Sequence, residues 1–476
     1  MSFESSPSEG PIELVHADPG VASNGDLPCA IKRIPTELLV EIFKLLPESD
    51  LLKHVPLVCE FWHETSLNPI LRKRLTLRRE TPPEMLISSV RSRPLLRILK
   101  CPALDHAGDT LPSAVKVCSY LECLDIGFCT LTENATDTLA MNLPSTLVHL
   151  NVEGLKTIGF NFVTFLVRSC PRLEALNLSH CVSVSDACVQ LIANKLTSLQ
   201  RLNLDGVLWL SDNALHYLVN CEAFQEGRLT YLWLDGFELS SAGVGNFLQE
   251  LVSLRTWTMG KKDRPACKSP DQIGMQVLWI SFCDHLMDSA VQPLSSLSGL
   301  AALTLRKAQQ VTSVGWKNLF ASVPMDHALP LQALQCLEHL DLSEAPTVDD
   351  SVISSICSCC GDRLRSLTLN WCWELTDEGL NDIVFSCHCL RHLSLVGDHL
   401  ILGAPLVNVP SQQPAIKIIN LTQCSHIQET ILKELVQMMP HIYVFDYFGE
   451  RVGGGPNDIC HYDLWRSLEK VPICAD

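Results

Sequence analysis

A chain of 476 residues with 47% hydrophobic residues can bury a sizeable core, so it needs neither disulfides nor metal to fold. Its net charge of −17, from 36 basic and 53 acidic residues, opposes a broad polyanion-binding surface and argues against nucleic acid as the main partner. There is no run of 18 apolar residues, no C-terminal prenylation box and no basic or apolar leader, which leaves no signal for a membrane span, lipid anchor or export.

A cytoplasmic or nuclear location is expected. In that reducing compartment the 22 cysteines are read as buried small apolar groups, metal ligands or reactive thiols rather than bridges. Residues 1–30 hold twelve Ser, Pro or Gly and few large apolar side chains, the composition of a disordered tail, with Ser6-Pro7 open to phosphorylation.

Order is expected from IKRIPTELLVEIFKLLPESDLLKHVPLVCEFWHETSLNPILRKRLTL onward. Helices are predicted near 36–46, 50–54, 56–66 and 69–75: Pro35, Pro56 and Pro69 stand where a first turn needs no N–H partner, and Asp50 and Asn68 serve as caps. In the first helix Leu38, Leu39, Ile42, Phe43, Leu45 and Leu46 cover more than one face. That exceeds what a small internal core consumes, so something else should cover the remainder.

The run Ile34-Pro35, Glu37-Leu38-Leu39, Ile42-Phe43, Leu46-Pro47, Asp50-Leu51-Leu52, Val58-Cys59 and Trp62 resembles the F-box, here over residues 31–79. Leu71 departs from the pattern, because family members often carry tryptophan there. The resemblance implies docking on a Skp-family adaptor through Ile34, Pro35, Leu38, Leu39, Ile42, Phe43, Leu46, Leu51, Leu52, Val58 and Trp62.

Beyond residue 80 one frame recurs. Leu364, Leu367, Leu369 and Cys372 give L-x-x-L-x-L-x-x-C, and the same frame starts at Leu121, Leu147, Leu173, Leu199, Leu229, Met275, Leu300, Leu337, Leu390, Ile416 and Ile442, with weaker starts near Leu96 and Leu254. Six intervals are 26 residues, a period that signals a solenoid of about twelve to fourteen units over 80–442. Each unit opens with strand-like alternation and continues with helical spacing. Asp186, Asp212, Asp288, Asp350 and Asp377 lie thirteen residues into their units and read as helix-start residues. The rhythm breaks at 254–274, read as a unit without helical spacing, and near 322–336; insertions are expected near 260–274 and 322–336. Tyr443, Phe445, Tyr447, Phe448 and Trp465 mark 443–476 as a cap or tail for the last repeat, the alternative being a segment folded back over the concave face to help bind.

An F-box followed by cysteine-bearing leucine-rich repeats resembles the F-box/leucine-rich-repeat family. The resemblance implies an α/β chain: an all-helical F-box, then a curved solenoid with a parallel concave sheet and helices on the convex face. It further implies a substrate receptor in a Skp–cullin–F-box ubiquitin ligase, partnered by the Skp-family adaptor and the cullin-RING core. The alternative is a non-catalytic repeat scaffold or inhibitor whose F-box recruits no cullin. Neither reading needs an enzyme or a cofactor, and the chain carries no G-x-S-x-G, H-E-x-x-H or Walker loop.

The stretch 357–389 holds six cysteines and a histidine. The frame explains Cys372 and Cys387: Cys129, Cys181, Cys283, Cys372 and Cys424 occupy one position, where a small apolar atom with a weak donor fits, and Cys387 precedes a unit start. A zinc site would need four converging ligands, and none is expected. Alternation sends every second strand residue away from the core. Tyr231, Trp233 and Asp235, then Val277, Trp279 and Ser281, then Thr304 and Arg306 point outward, and Trp371 falls beside them. Tyr231, Trp233, Trp279, Arg306, Lys307 and Trp371 are the candidate target-binding residues. With Lys261, Lys262 and Arg264 nearby in the frame, an acidic or phosphorylated target is expected.

Overall fold

The structure, a computed structural model, describes residues 34–104, 107–108, 110–259, 274–321 and 334–453. The expected tail at 1–30, the insertion near 322–336 up to residue 333, Lys261, Lys262, Arg264 and Trp465 lie outside the described residues. The chain divides into two compact units, 1–72 and 73–476.

The first unit comprises α1 (Thr36–Phe43), α2 (Glu48–Lys53), a 3-10 turn at Val55–Leu57 and α3 (Glu60–Ser66). Pro35 and Pro47 precede α1 and α2 in extended conformation, which launches each helix without losing a backbone bond. Asp50 therefore sits inside α2 rather than capping it. Leu39, Phe43, Leu51 and Val55 form a closed core, backed by Ile34, Phe61, Trp62 and Leu71. The Trp62 ring meets Phe43 edge-on at 5.1 Å.

No helix forms at 69–75. Asn68 Oδ1 accepts the Ile70 N–H at 3.0 Å and the chain makes a single turn before straightening into the strand Arg74–Thr76. There Lys73 O accepts the Arg97 and Ile98 N–H groups and Leu77 N donates to Lys100 O. Leu75 turns into the core of the second unit and Leu77 packs against it, so sheet pairing prevails over another helical turn.

Among the described residues the second unit carries fourteen strands, all parallel and in sequence order, from Arg74–Thr76 to Tyr443–Phe445. Helices follow most strands, and one continuous apolar cluster from Leu75 to Val444 fills the space between the two layers. Each fully buried Leu in it contributes about 2 kcal/mol.

Two expected starts need correction. The strand Tyr231–Asp235 pairs directly with Val277–Ser281, so no repeat begins near Leu254. A helix of 19 residues, Ser241–Met259, runs through that position, burying Val244, Phe247, Leu248 and Leu251 along one face. At the far end Ile442 keeps its buried anchor, but Tyr443 lies opposite Ile418. The last step is therefore 25 residues (443 minus 418), one fewer than the frame gave.

Three rows of contacts join the repeats. The Cys129, Cys181, Cys372 and Cys424 thiols donate to the carbonyls of Cys101, Val152, Leu342 and Leu395 in the preceding repeats, at 3.2, 3.2, 3.5 and 2.8 Å. Burial pushes the Cys181 and Cys424 thiols up to about 12, so they stay protonated and able to donate. Asp398 takes that rung in the Leu390 unit; it is fully buried, with Oδ1 accepting the Cys372 N–H at 2.7 Å and Oδ2 unpartnered.

The aspartates read as helix starts hold the next repeat. Asp186, Asp212, Asp288 and Asp350 each accept the backbone N–H and the hydroxyl of Ser211, Ser240, Thr312 and Thr376. Asp377 accepts the Leu402, Gly403 and Ala404 N–H groups. The third row is a left-handed residue just after the strand. Phe128, His180 and Trp371 adopt it at φ 60°, 57° and 60°, and each ring lies against the glycine that holds the same position one repeat later, Gly154, Gly206 or Gly397.

Candidate binding surfaces

The first unit presents a large apolar surface that its own core leaves uncovered. Leu38, Ile42, Leu46, Leu52 and Val58 are exposed, and Leu45 and Leu57 are exposed by 85% and 82%. Leu39, Phe43 and Leu51, read from the sequence as adaptor contacts, lie inside the unit. Ile34 and Trp62 are half-buried against that core, and Pro35 is exposed. Leu57 was missed because it follows Pro56 in a segment read as an ordinary helix start.

On the second unit the register places Tyr231 opposite Val277, Trp233 opposite Trp279 and Asp235 opposite Ser281. Thr304 continues the Trp233 row, followed by Asp341. Tyr231 and Trp233 stack with centroids 6.1 Å apart, the Arg201 guanidinium lies 4.8 Å over Tyr231, and Arg306 lies 4.8 Å over Trp279. Trp233 is largely covered by its neighbours, while Tyr231 and Trp279 are half-buried.

The cations expected to receive an acidic target are engaged within the sheet. Arg306 Nε donates to Asp341 Oδ2 at 2.7 Å, and Lys307 Nζ stands 3.7 Å from Asp284 Oδ2 and 5.0 Å over the Phe282 ring. Lys307 sits in the left-handed position at φ 63°, as Trp371 does in its own repeat. Trp371 belongs to the turn row, its ring 6.2 Å from His399, and the strand it follows, Ser366–Thr368, stands four strands along the sheet from Tyr231–Asp235, so the structure does not bring it together with Trp233 and Trp279.

Comparison with known proteins fits both units. The F-box-like family model matches residues 31–78. DNA repair protein RAD7 of Saccharomyces cerevisiae is 21% identical over 359 residues, covering 66% of this chain and 56% of the relative. F-box/LRR-repeat protein 4 of Bos taurus is 24% identical over 278 residues, covering 55% of this chain and 42% of the relative. A crystal structure of the Rad7 and Elc1 complex in yeast superposes with a TM-score of 0.51 at 15% identity, covering 89% of this chain and 98% of that one, which shows a shared fold. The chain joins an F-box-like segment to a repeat unit that shares its fold with the Rad7 structure. It spans about half the length of the curated relatives it matches.

In the second unit the cysteine-rich stretch is largely interior. Cys357, Cys359 and Cys360 lie on the buried side of the helix Asp350–Cys360, with Cys357 Sγ 3.8 Å from Cys387 Sγ of the next repeat. Cys360 donates to the Ile356 carbonyl, and Cys389 is exposed. Among the described residues no group of three or more His, Cys, Asp or Glu is arranged to hold a metal ion, and no helix is long and apolar enough to cross a membrane.

Proposed function

We propose that this chain is a non-catalytic substrate receptor of a cullin-RING ubiquitin ligase, its F-box docking on a Skp-family adaptor and its repeat sheet holding the target. The observation that carries the reading is the exposed apolar set Leu38, Ile42, Leu45, Leu46, Leu52, Leu57 and Val58 on a unit whose own core is already closed. Soluble domains rarely leave such a surface bare without a partner for it. The Rad7 and Elc1 complex supports assembly of this kind of chain with a second protein. The reading places the protein in the cytoplasm or nucleus and leaves ubiquitin transfer to other subunits. Arg306 and Lys307, from which an acidic or phosphorylated target was expected, already face Asp341 and Asp284, which weighs against such a target.

The test is co-purification from cells with the tagged full-length protein. Leu38→Ala, Leu45→Ala and Leu57→Ala together should remove about 3–6 kcal/mol of partner burial, enough to lose the adaptor and cullin bands. Thermal unfolding should stay in place, since none of the three belongs to the core. Retention of adaptor and cullin at wild-type levels would refute the reading. Retention of the target with loss of the adaptor would separate the receptor from the scaffold alternative.

A further inference from the structure

The sheet face between the strands Arg201–Leu204 and Val277–Ser281 carries two neighbouring carboxylates that no lysine or arginine pairs with among the described residues. Asp205 and Asp235 follow equivalent strand positions, since Leu204 lies opposite Leu234. Asp205 accepts the Ser281 hydroxyl, reaching across the intervening strand that bears Asp235. Asp235 is 2% exposed; its Oδ1 accepts the Phe237 N–H at 2.9 Å, and its Oδ2 has no partner. Neither acid takes part in an ion pair among the described residues. Desolvation, and to a lesser extent the Asp205 charge, push the Asp235 carboxyl above its ordinary value, with the Phe237 N–H, the Gly206 N–H and His180 acting against the rise.

A second observation points to a ligand from the donor side. The Trp279 indole N–H is buried and has no acceptor, although its ring is half-exposed on the same face. A buried donor and a buried acceptor left open on neighbouring strands of a binding face each cost about 1–3 kcal/mol unless something arrives to satisfy them. The arginines of the region do not fill the role, because Arg306 is held by Asp341 and Arg201 lies over Tyr231. A phosphate brought here would face Asp205, Asp235 and Asp341, and the chain's charge of −17 adds to the repulsion.

We propose that this patch receives a lysine or arginine residue of the target, its cation on the Asp205–Asp235 pair, its aliphatic stem across Trp233 and Trp279, and a main-chain carbonyl on the Trp279 indole N–H. A basic residue within a polypeptide is the ligand that supplies a cation, an apolar stem and an acceptor together. The inference rests on the reading of the repeat sheet as the target-binding surface, and it replaces an acidic target with a basic one.

The test uses immobilised full-length protein and four randomised peptide pools, identical except for a fixed central Lys, Arg, Glu or phosphoserine. Capture of the Lys and Arg pools should exceed the other two by at least about tenfold, the scale of a charge-assisted pair. Asp205→Asn with Asp235→Asn should abolish that preference, because the amides keep the acceptors for Ser281 and Phe237 and lose only the charge. Trp279→Phe should weaken Lys and Arg capture while leaving the preference, and the Trp279 indole resonance should shift when the Lys pool is added to wild type. Equal capture of all pools, a preference for phosphoserine, or a Lys/Arg preference that survives the double substitution would overturn the proposal. Adaptor co-purification is scored on the same preparations, so a failed adaptor reading and a failed basic-residue site give different results.

Discussion

Replacing Asp398 by asparagine should make the protein more stable at neutral pH and less stable in acid. Asp398 is fully buried in a rung that cysteine holds in other repeats, and desolvation pushes its carboxyl from the ordinary 3.8 to about 8, against the opposing Cys372 N–H bond. The folded state thus keeps the proton where the unfolded chain has lost it. The penalty on folding is absent below 3.8, grows between 3.8 and about 8, and levels off above that.

At pH 7 the span from 3.8 is 3.2, which at about 1.4 kcal/mol per pH unit is a cost of about 4 kcal/mol. Asp398→Asn removes that cost and keeps an acceptor for Cys372, but places an amide N–H₂ where Oδ2 has no partner, at about 1–3 kcal/mol. The net expectation is a gain of about 1–3 kcal/mol at pH 7 and a loss of similar size near pH 4. Urea unfolding of both proteins from pH 4.5 to 8 reads the difference directly. Parallel stability curves would refute the reasoning, since they would mean Asp398 titrates alike in the folded and unfolded chain.

Gly397→Ala should cost about 2–4 kcal/mol, because φ is +76° and a Cβ would stand 2.4 Å from the Trp371 ring. Gly227→Ala, at φ +66° with nothing within 4 Å, should cost only about 1 kcal/mol, and thermal unfolding of the pair isolates the ring contact. Asp350→Ala should lose about 2–4 kcal/mol in urea unfolding by stranding the Thr376 N–H, its hydroxyl and the Gly379 N–H. Cys181→Ala should destabilise by about 1–2 kcal/mol by emptying a fully buried rung and losing the Val152 contact.

The leucine frame was legible because burial repeats it: Leu121, Leu147, Leu173 and Leu199 mark a period that needs no long-range information. It failed where length alone misled. Leu254 matched the frame by composition, yet it continues the face of a 19-residue helix. Ile442 fitted the period, but one residue is missing between it and the strand, and strand register depends on that residue. The aspartate row was visible as a spacing, and helices do begin at Asp186, Asp212, Asp288, Asp350 and Asp377, but no spacing states that their carboxylates bind groups of the next repeat. On the sheet face the aromatic positions could be counted from alternation. The pairing of Arg306 with Asp341 crosses 35 residues, and the overlap of Asp205 with Asp235 requires the curl of a side chain over a neighbouring strand, which no spacing states.

The left-handed turn row constrains how such a chain could change over generations. Phe128 lies on Gly154, His180 on Gly206 and Trp371 on Gly397, so a bulky ring in one repeat is matched to a bare backbone in the next. Copying a single ring-bearing repeat would set two rings in one slot, whereas copying two repeats preserves the alternation. The matching acts within these three pairs of repeats, since Phe282, Lys307, Glu344 and Trp371 hold the same position in successive repeats with no glycine between them.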